Sequence, residues 1–170
     1  MSTPAHPDLN NYLGMLGPTP LVPVKLDDAD PIIWCKLEFL HPSGSTKDRI
    51  ARHILGKAWR QGRLKRGDLV VEASSGSTSI AMALACAQLG LRFIAVMPRG
   101  VSSERVLMIR GYGGEVRFCP AEKGVIGAIE ETRRIAADCG AFLPSQFENP
   151  DNAEAHRSST PVGTTLFIVD

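Results

Sequence analysis

Lys47 lies at the start of a predicted helix, within the segment Pro-Ser-Gly-Ser-Thr-Lys-Asp-Arg at residues 42–49. A helix N-terminus carries partial positive charge, so an ammonium group in the first turn is electrostatically disfavoured. The position predicts an amine that is neutral part of the time, and a neutral lysine amine is a nucleophile that forms Schiff bases with carbonyl compounds. Taken alone, the residues leave open a solvated lysine paired with Asp48 or Glu38. Arg49 is either a surface charge or the partner of an acidic group.

A second candidate is the run of small residues Ser74, Ser75, Gly76, Ser77 and Thr78, which follows a short apolar strand and precedes a helix. Hydroxyl groups and backbone N–H groups at a helix start form a cradle suited to a carboxylate or a phosphate. Serine and threonine are also favoured at this place as simple helix caps. The residues by themselves leave both roles open.

Gln146 follows the last predicted strand, in a segment that ends with the turn-forming pair Asn149-Pro150. Its side-chain amide could donate to the carboxylate of a ligand. The histidines are scattered without the spacing of metal ligands, so no metal site is predicted. No Walker loop and no Gly-x-Ser-x-Gly motif occurs in the chain.

The composition is that of an ordinary globular protein, with 44% hydrophobic residues among 170 and a net charge of +1. Because no block of like charge occurs, neither a nucleic-acid partner nor an anionic membrane is predicted. The start of the chain has no signal-peptide pattern and no apolar run is long enough to span a bilayer, which predicts a cytoplasmic protein. Four cysteines are expected to be buried small hydrophobes with reduced thiols: Cys35, Cys86, Cys119 and Cys139.

Short apolar runs alternate with longer helical patterns along the chain, which predicts an α/β protein with a parallel sheet and helices on both faces. Ser45 and Asp48 have the spacing of a capping box at the start of the first helix. The predicted strands are residues 32–38, 69–72, 93–97, 116–118 and 141–143. The predicted helices are residues 46–61, 78–89, 103–110 and 125–138. Ligands bind such sheets at the carboxyl ends of the strands, where the loops before the first two helices would lie.

Several short segments resemble the cysteine synthase family of pyridoxal-phosphate enzymes, known as fold type II, both in their order along the chain and in the predicted elements on which they lie. The resemblance extends from about Thr19 to His156. It is carried by Thr19-Pro20-Leu21, Lys36-Leu37-Glu38, residues 42–49 and 74–78, Val96-Met97-Pro98, and residues 146–152 with Ala155-His156.

The resemblance implies a role for each candidate residue. Lys47 would hold pyridoxal 5'-phosphate as a Schiff base and then act as acid or base at the α-carbon of an amino-acid substrate. The implied reaction is β-elimination of an activated serine followed by addition of sulfide to give cysteine, and the assembly that the family suggests is a homodimer. The implied cofactor contacts are Lys47 and Ser77, and the implied contacts to the substrate carboxylate are Ser74, Ser75, Gly76, Thr78 and Gln146.

Ser77 departs from the family pattern, since members commonly carry asparagine there, in contact with the ring hydroxyl of the cofactor. Serine is shorter, so it would bond through water or leave the contact open. A cysteine desulfhydrase or another β-lyase of the same family is therefore an alternative to the synthase.

The tail at residues 157–170 does not follow the family's continuation. In the family, a long C-terminal segment adds a glycine-rich phosphate-binding loop and most of the larger domain's sheet, and Gly163-Thr164-Thr165 is too short to replace that loop. We therefore expect a truncated chain with an incomplete two-domain fold type II architecture. In that division, residues 1–47 begin the larger domain, residues 48–145 form the smaller domain, and residues 146–170 start the return to the larger one.

Such a truncation predicts little or no activity for the chain alone, and exposure of apolar surfaces that the absent half would bury. Two explanations from other classes stay open. The chain could be a non-catalytic module that binds a partner or an amino acid, or it could be the product of a frameshift or an early stop.

Overall fold

The structure is a computed structural model that describes residues 16–28, 30–159 and 166–169. Its strands are β1 (Leu21–Val24), β2 (Ile33–Leu37), β3 (Leu69–Ala73), β4 (Arg92–Pro98), β5 (Glu115–Cys119) and β6 (Leu166–Val169). Its α-helices are α1 (Lys47–Arg60), α2 (Ser77–Leu89), α3 (Ser103–Gly111), α4 (Gly124–Cys139) and α5 (Pro150–Ser159). Short 3-10 turns lie at Glu38–Leu40 and Ala121–Lys123. The tripeptide at 163–165, weighed above as a phosphate loop, lies outside the described residues.

The four predicted helices and four of the five predicted strands are confirmed, with ends that shift by one residue at most. Glycines fix two of the helix ends. Gly90 after α2 and Gly140 after α4 adopt left-handed conformations, with φ of 66° and 65°. Glycine takes this conformation without the steric strain of a Cβ atom, so it is the usual residue after the last helical turn.

Strands β3, β4 and β5 form a parallel sheet in that order, with Val71 opposite Ile94 and Val96 opposite Arg117. Alternate residues of its strands belong to two separate buried clusters, because successive side chains of a strand point to opposite faces. The larger cluster joins one face to α1 and α2, and the smaller cluster joins the other face to α4. The predicted parallel sheet with helices on both faces is confirmed.

Strands β1, β2 and β6 form a second sheet, in which β2 is central. β1 pairs antiparallel with β2, and β6 pairs parallel with it. The apolar pattern predicted neither outer strand. Pro23 lies within β1, and proline is tolerated there because the strand is at an edge and need not donate on both sides.

The strand predicted at residues 141–143 is wrong. Only Phe142 pairs with β3, through hydrogen bonds to Val71 and Leu69 of 3.0 and 2.8 Å. The chain has no room for a longer strand here, because Gly140 ends α4 just before this segment and Pro144, which lacks an N–H group, follows it.

The cysteines behave as predicted in one respect and differ in another. All four are free thiols, and Cys86 and Cys119 are buried as expected, but Cys35 is half-buried and Cys139 is exposed. Cys139 is the last residue of α4, and the last buried residue of that helix is Ile135. Within the described part of the chain, no helix is both long enough and apolar enough to cross a membrane.

Candidate active site

Lys47 is the first residue of α1 and is half-buried. The turn that precedes Lys47 contains the buried small polar residues Ser43, Ser45 and Thr46. Gly44 lies within this turn and has a φ of +82°, which glycine adopts without strain. The backbone N–H of Lys47 donates to the Ser45 hydroxyl at 3.1 Å. The lysine backbone is therefore held at the helix start by a fixed turn.

Asp48 anchors this turn from inside the protein. Its carboxylate is fully buried and accepts the backbone N–H of Ser43 at 3.1 Å as well as the Ser43 hydroxyl. Burial raises the pKa of Asp48, and the hydrogen bonds from Ser43 oppose that rise. The predicted capping box is therefore modified, because the Ser45 hydroxyl bonds Lys47 and the carboxylate reaches Ser43.

A buried charge cluster lies beneath the same turn. The carboxylate of Glu38 accepts from Arg49 Nε at 2.6 Å and Nη2 at 2.8 Å, and from the Thr19 hydroxyl. Lys36 Nζ lies 3.8 Å from Glu38 Oε1, and His41 Nε2 lies 3.2 Å from Glu38 Oε2. Burial alone would raise the pKa of Glu38, but these hydrogen bonds and the charge of Arg49 lower it to about 2. Arg49 is thus the partner of a buried acid rather than a surface charge.

Lys36 is a second amine near this turn, and unlike the half-buried Lys47 it is fully buried. Its Nζ donates to the carbonyl oxygen and the hydroxyl of Thr19, at 2.9 and 2.7 Å. Burial lowers the pKa of Lys36, although the neighbouring Glu38 carboxylate opposes this. Lys36 is therefore the natural internal comparison for any chemistry assigned to Lys47.

The residues of the 74–78 loop have different surroundings. The Ser74 hydroxyl accepts the N–H groups of Gly76 at 3.0 Å and Ser79 at 3.3 Å, which is a helix-capping arrangement. Ser75 is exposed, Ser77 is the half-buried first residue of α2, and Thr78 is buried. The first N–H groups of a helix have no acceptor within it. Since Ser74 takes the N–H of Ser79, those of Ser77 and Thr78 are the donors left for a ligand.

Gln146 is brought to this loop from far along the chain. Its side-chain oxygen accepts from the Thr78 hydroxyl at 2.7 Å, and its side-chain nitrogen donates to the Ala73 carbonyl at 2.7 Å. An amide nitrogen carries two N–H bonds, so one can still donate to a carboxylate. The structure thus joins two of the predicted carboxylate contacts, Thr78 and Gln146.

Two charged residues beside the loop were missed. Arg105 of α3 donates to the Ser75 carbonyl at 2.9 Å and lies directly over Gly76, where a Cβ atom would be 2.6 Å from its Nε. Nothing in the sequence spacing indicates this contact. Glu72, on β3, is buried beneath Gln146 and accepts its backbone N–H at 3.2 Å. An acid within the apolar run at residues 69–73 was the available signal.

These groups fit part of an aldehyde-bearing cofactor with an amino-acid substrate. A primary amine can bond to the aldehyde carbon, and a serine hydroxyl can hydrogen-bond a ring oxygen. N–H groups at the start of α2, with the Arg105 guanidinium beside them, suit a carboxylate. Gly76 allows Arg105 to lie close to the loop, because a side chain at position 76 would push Arg105 aside.

The chain is similar in sequence to curated cysteine synthases. It is 38% identical over 158 residues to a cysteine synthase of Staphylococcus aureus (strain N315), covering 92% of this chain and 51% of that protein. It is 40% identical over 152 residues to a cysteine synthase of Flavobacterium sp., covering 88% and 50% of the two chains. The chain thus spans about half the length of the curated relatives it matches.

Solved structures give the same comparison. A crystal structure of O-ureido-L-serine synthase matches with a TM-score of 0.82 and 38% identity, over 88% of this chain and 48% of that one. A hydrogen sulfide-producing enzyme from Fusobacterium nucleatum matches with a TM-score of 0.83 and 34% identity, over 89% and 51%. Residues 12–161 match the family described as pyridoxal-phosphate dependent enzyme. The chain therefore belongs to the family of pyridoxal-phosphate-dependent enzymes that includes the cysteine synthases.

Proposed function

We propose that this chain supplies the cofactor-attaching lysine and the carboxylate-binding loop of a cysteine synthase. The reaction replaces the β-substituent of an activated serine with sulfide. The observation that carries the proposal is the hydrogen bond between Thr78 and Gln146, which unites residues 68 positions apart at the carboxyl end of β3. That end of a parallel strand, ahead of a helix N-terminus, is where open α/β sheets bind their ligands.

Each residue has a distinct task in this proposal. Lys47 attaches the cofactor through Nζ and later takes the proton from the substrate α-carbon. The bound cofactor supplies an electron sink. Backbone N–H groups of Ser77 and Thr78, with the second N–H of the Gln146 amide, hold the substrate carboxylate. Holding it fixes the direction of the α-proton relative to Lys47, which is the advantage of a positioned substrate. The Ser77 hydroxyl would hydrogen-bond the ring oxygen of the cofactor.

Sulfide release is the second candidate function. It is favoured by Ser77, which replaces the asparagine common in the family, and by the 34% identity to a hydrogen sulfide-producing enzyme. Sulfide release from cysteine, compared between the cofactor-loaded chain and its Ser77→Asn variant, discriminates the two. Release that is higher with serine favours the sulfide-producing reaction, and release that is equal or higher with asparagine counts against it.

Lys47→Ala is expected to abolish covalent attachment of the cofactor, because alanine has no amine. Attachment is the chosen readout, since the chain spans about half the length of its relatives. The 170-residue chain is incubated with pyridoxal phosphate, reduced with borohydride to make the link permanent, digested and analysed by mass spectrometry. We expect the adduct on the peptide that contains Lys47.

The matched control is Lys65→Ala, which removes an exposed lysine and should keep the adduct. An adduct on Lys36, or labelling spread equally over exposed lysines, would contradict the role of Lys47. A defined complex with an intact relative that survives Lys47→Ala, without any adduct in the parent chain, would favour the non-catalytic module.

A further inference from the structure

We propose that Glu72 is a positioning residue of the candidate site, whose buried carboxylate holds the Gln146 segment against the end of β3. The inference deepens the proposed function by naming what fixes one of its carboxylate contacts. It concerns the protein without cofactor or substrate, so it can be tested separately from the reaction.

The carboxylate of Glu72 makes one hydrogen bond to each of the two segments that meet here. Oε1 accepts the N–H of Ala73 at 2.9 Å, and Oε2 accepts the N–H of Gln146 at 3.2 Å. The Gln146 side chain returns to the same strand by donating to the Ala73 carbonyl. Gln146 is therefore fixed by its backbone and by its side chain. Loss of the carboxylate removes the acceptor of the Gln146 N–H and leaves its carbonyl, which accepts from the Asn152 side chain at 2.8 Å, as the remaining backbone contact.

Ser145, the residue before Gln146, is held in a left-handed conformation with a φ of 52°. Among the described residues it is the only non-glycine with positive φ. Such a conformation is unfavourable for serine and persists where the surroundings enforce it. The Ser145 carbonyl accepts the N–H groups of Glu148 and Asn149, both at 2.9 Å, which closes the turn from one side. Glu72 holds the turn from the other side.

Among the described residues, no cation pairs with Glu72. The adjacent residue on β4 is Ala95. A small cavity with a volume of about 20 Å³ is lined by Glu72, by α4 and by the segment around Ser145. Such a volume has room for about one water molecule. Besides Glu72, the charged residues that line this cavity are Arg133 and Glu148, which pair with each other at 2.5 Å. The other charged residues of α4 are Glu130, Glu131, Arg134 and Asp138, and Arg134 pairs with Glu131 and Asp138.

Burial raises the pKa of Glu72 to about 7, although N–H groups of Gln146, Ala73 and Ser145 oppose the rise. The ionised carboxylate accepts from both neighbours. The protonated form turns one oxygen into a donor, so it cannot accept as well from every N–H group around it. The hold on Gln146 should therefore weaken as the pH falls through about 7 and strengthen as the pH rises.

The test follows backbone and side-chain amide signals of Gln146 by NMR in the cofactor-free chain, from about pH 5 to about pH 9, on both sides of the pKa of Glu72. In the parent chain these signals should titrate with a midpoint near the pKa of Glu72. Glu72→Gln cannot ionise but keeps an acceptor oxygen, so the titration should vanish while the fold is retained. Glu148→Gln, which alters the neighbouring exposed acid, is the matched control and should leave the titration unchanged.

Glu72→Ala removes the acceptor, so hydrogen exchange at the Gln146 N–H should become about tenfold faster or more. If the alanine variant fails to fold, the comparison of Glu72→Gln with Glu148→Gln decides alone. Titration of Gln146 that persists in Glu72→Gln would overturn the proposal, as would a parent chain in which Gln146 does not titrate. Because neither cofactor nor substrate is present, failure of Lys47 labelling would leave this result intact.

Discussion

Replacing Glu38 with alanine lowers the free energy of unfolding by about 3–5 kcal/mol, the range for breaking a buried ion pair from one side. The reason is that Arg49 and Lys36 stay buried without their counter-charge. Arg49 is 4% exposed and Lys36 is 3% exposed, so water cannot replace the carboxylate unless the turn before α1 opens. Urea unfolding followed by circular dichroism measures the loss.

The matched control is Glu115→Ala, which breaks the pair between Glu115 and Arg117 on the exposed edge strand β5. An exposed pair contributes only about 0–1 kcal/mol, because solvent screens both charges. Equal losses for the Glu38 and Glu115 variants would show that the buried cluster contributes no more than a surface pair.

The same cluster gives the stability a pH dependence. The pKa of Glu38 is lowered in the folded protein to about 2, from an ordinary value near 4.5. A carboxylate with a lowered folded-state pKa stabilises fully above its unfolded pKa, and that contribution is lost as the pH falls through the folded one. The loss should therefore occur between about pH 4.5 and pH 2, and Glu38→Gln should remove this part of the curve.

Replacing Leu55 with alanine is expected to lower the free energy of unfolding by about 2–5 kcal/mol, the range for large-to-small changes in a core. Leu55 is completely buried, in the cluster that joins α1, α2 and one face of the parallel sheet. Its removal loses the transfer free energy of the side chain and leaves a cavity that the packed helices can only partly close. Denaturant unfolding again measures the difference.

Leu107→Ala is the control, because Leu107 on α3 is 66% exposed and its loss should change stability by no more than about 0.5 kcal/mol. Leu55→Met keeps the volume and should cost less than about 1.5 kcal/mol. If the methionine variant were as unstable as the alanine variant, cavity formation would not explain the loss.

Local pattern predicted the helices and most strands well because their signals are local. The apolar spacing of about 3.6 residues lies within a helix, and Gly90 and Gly140 directly follow the helices that they end. These helices can therefore be recognised without knowledge of any distant contact. The strands that were not predicted depend instead on contacts with distant parts of the chain. β1 and β6 exist through their pairing with β2, and the single bridge at Phe142 depends on what flanks it.

The residues of the candidate site also fall into those with a local sequence signal and those without one. Lys47 and the 74–78 loop were recognised from residue types beside predicted helices, and their grouping with Gln146 came from family resemblance rather than from periodicity. The Glu38–Arg49 pair was left undecided because the sequence does not say which charges are buried. Arg105 could not be predicted at all, since its contact with Ser75 depends on how α3 packs over the loop.

The two clusters on opposite faces of the parallel sheet also set an order of local opening. α2 is buried along most of its length, whereas α4 contributes mainly Gly127, Ala128, Thr132 and Ile135 to the protein interior. Regions with less buried apolar contact open at lower free energy. α4 should therefore exchange its amide hydrogens before α2 does. Its opening would loosen the segment beside Gln146, which α4 contacts through the Arg133–Glu148 pair, while Lys47 and the 74–78 loop stay in place. One of the proposed carboxylate contacts would then be the first part of the site to loosen on warming.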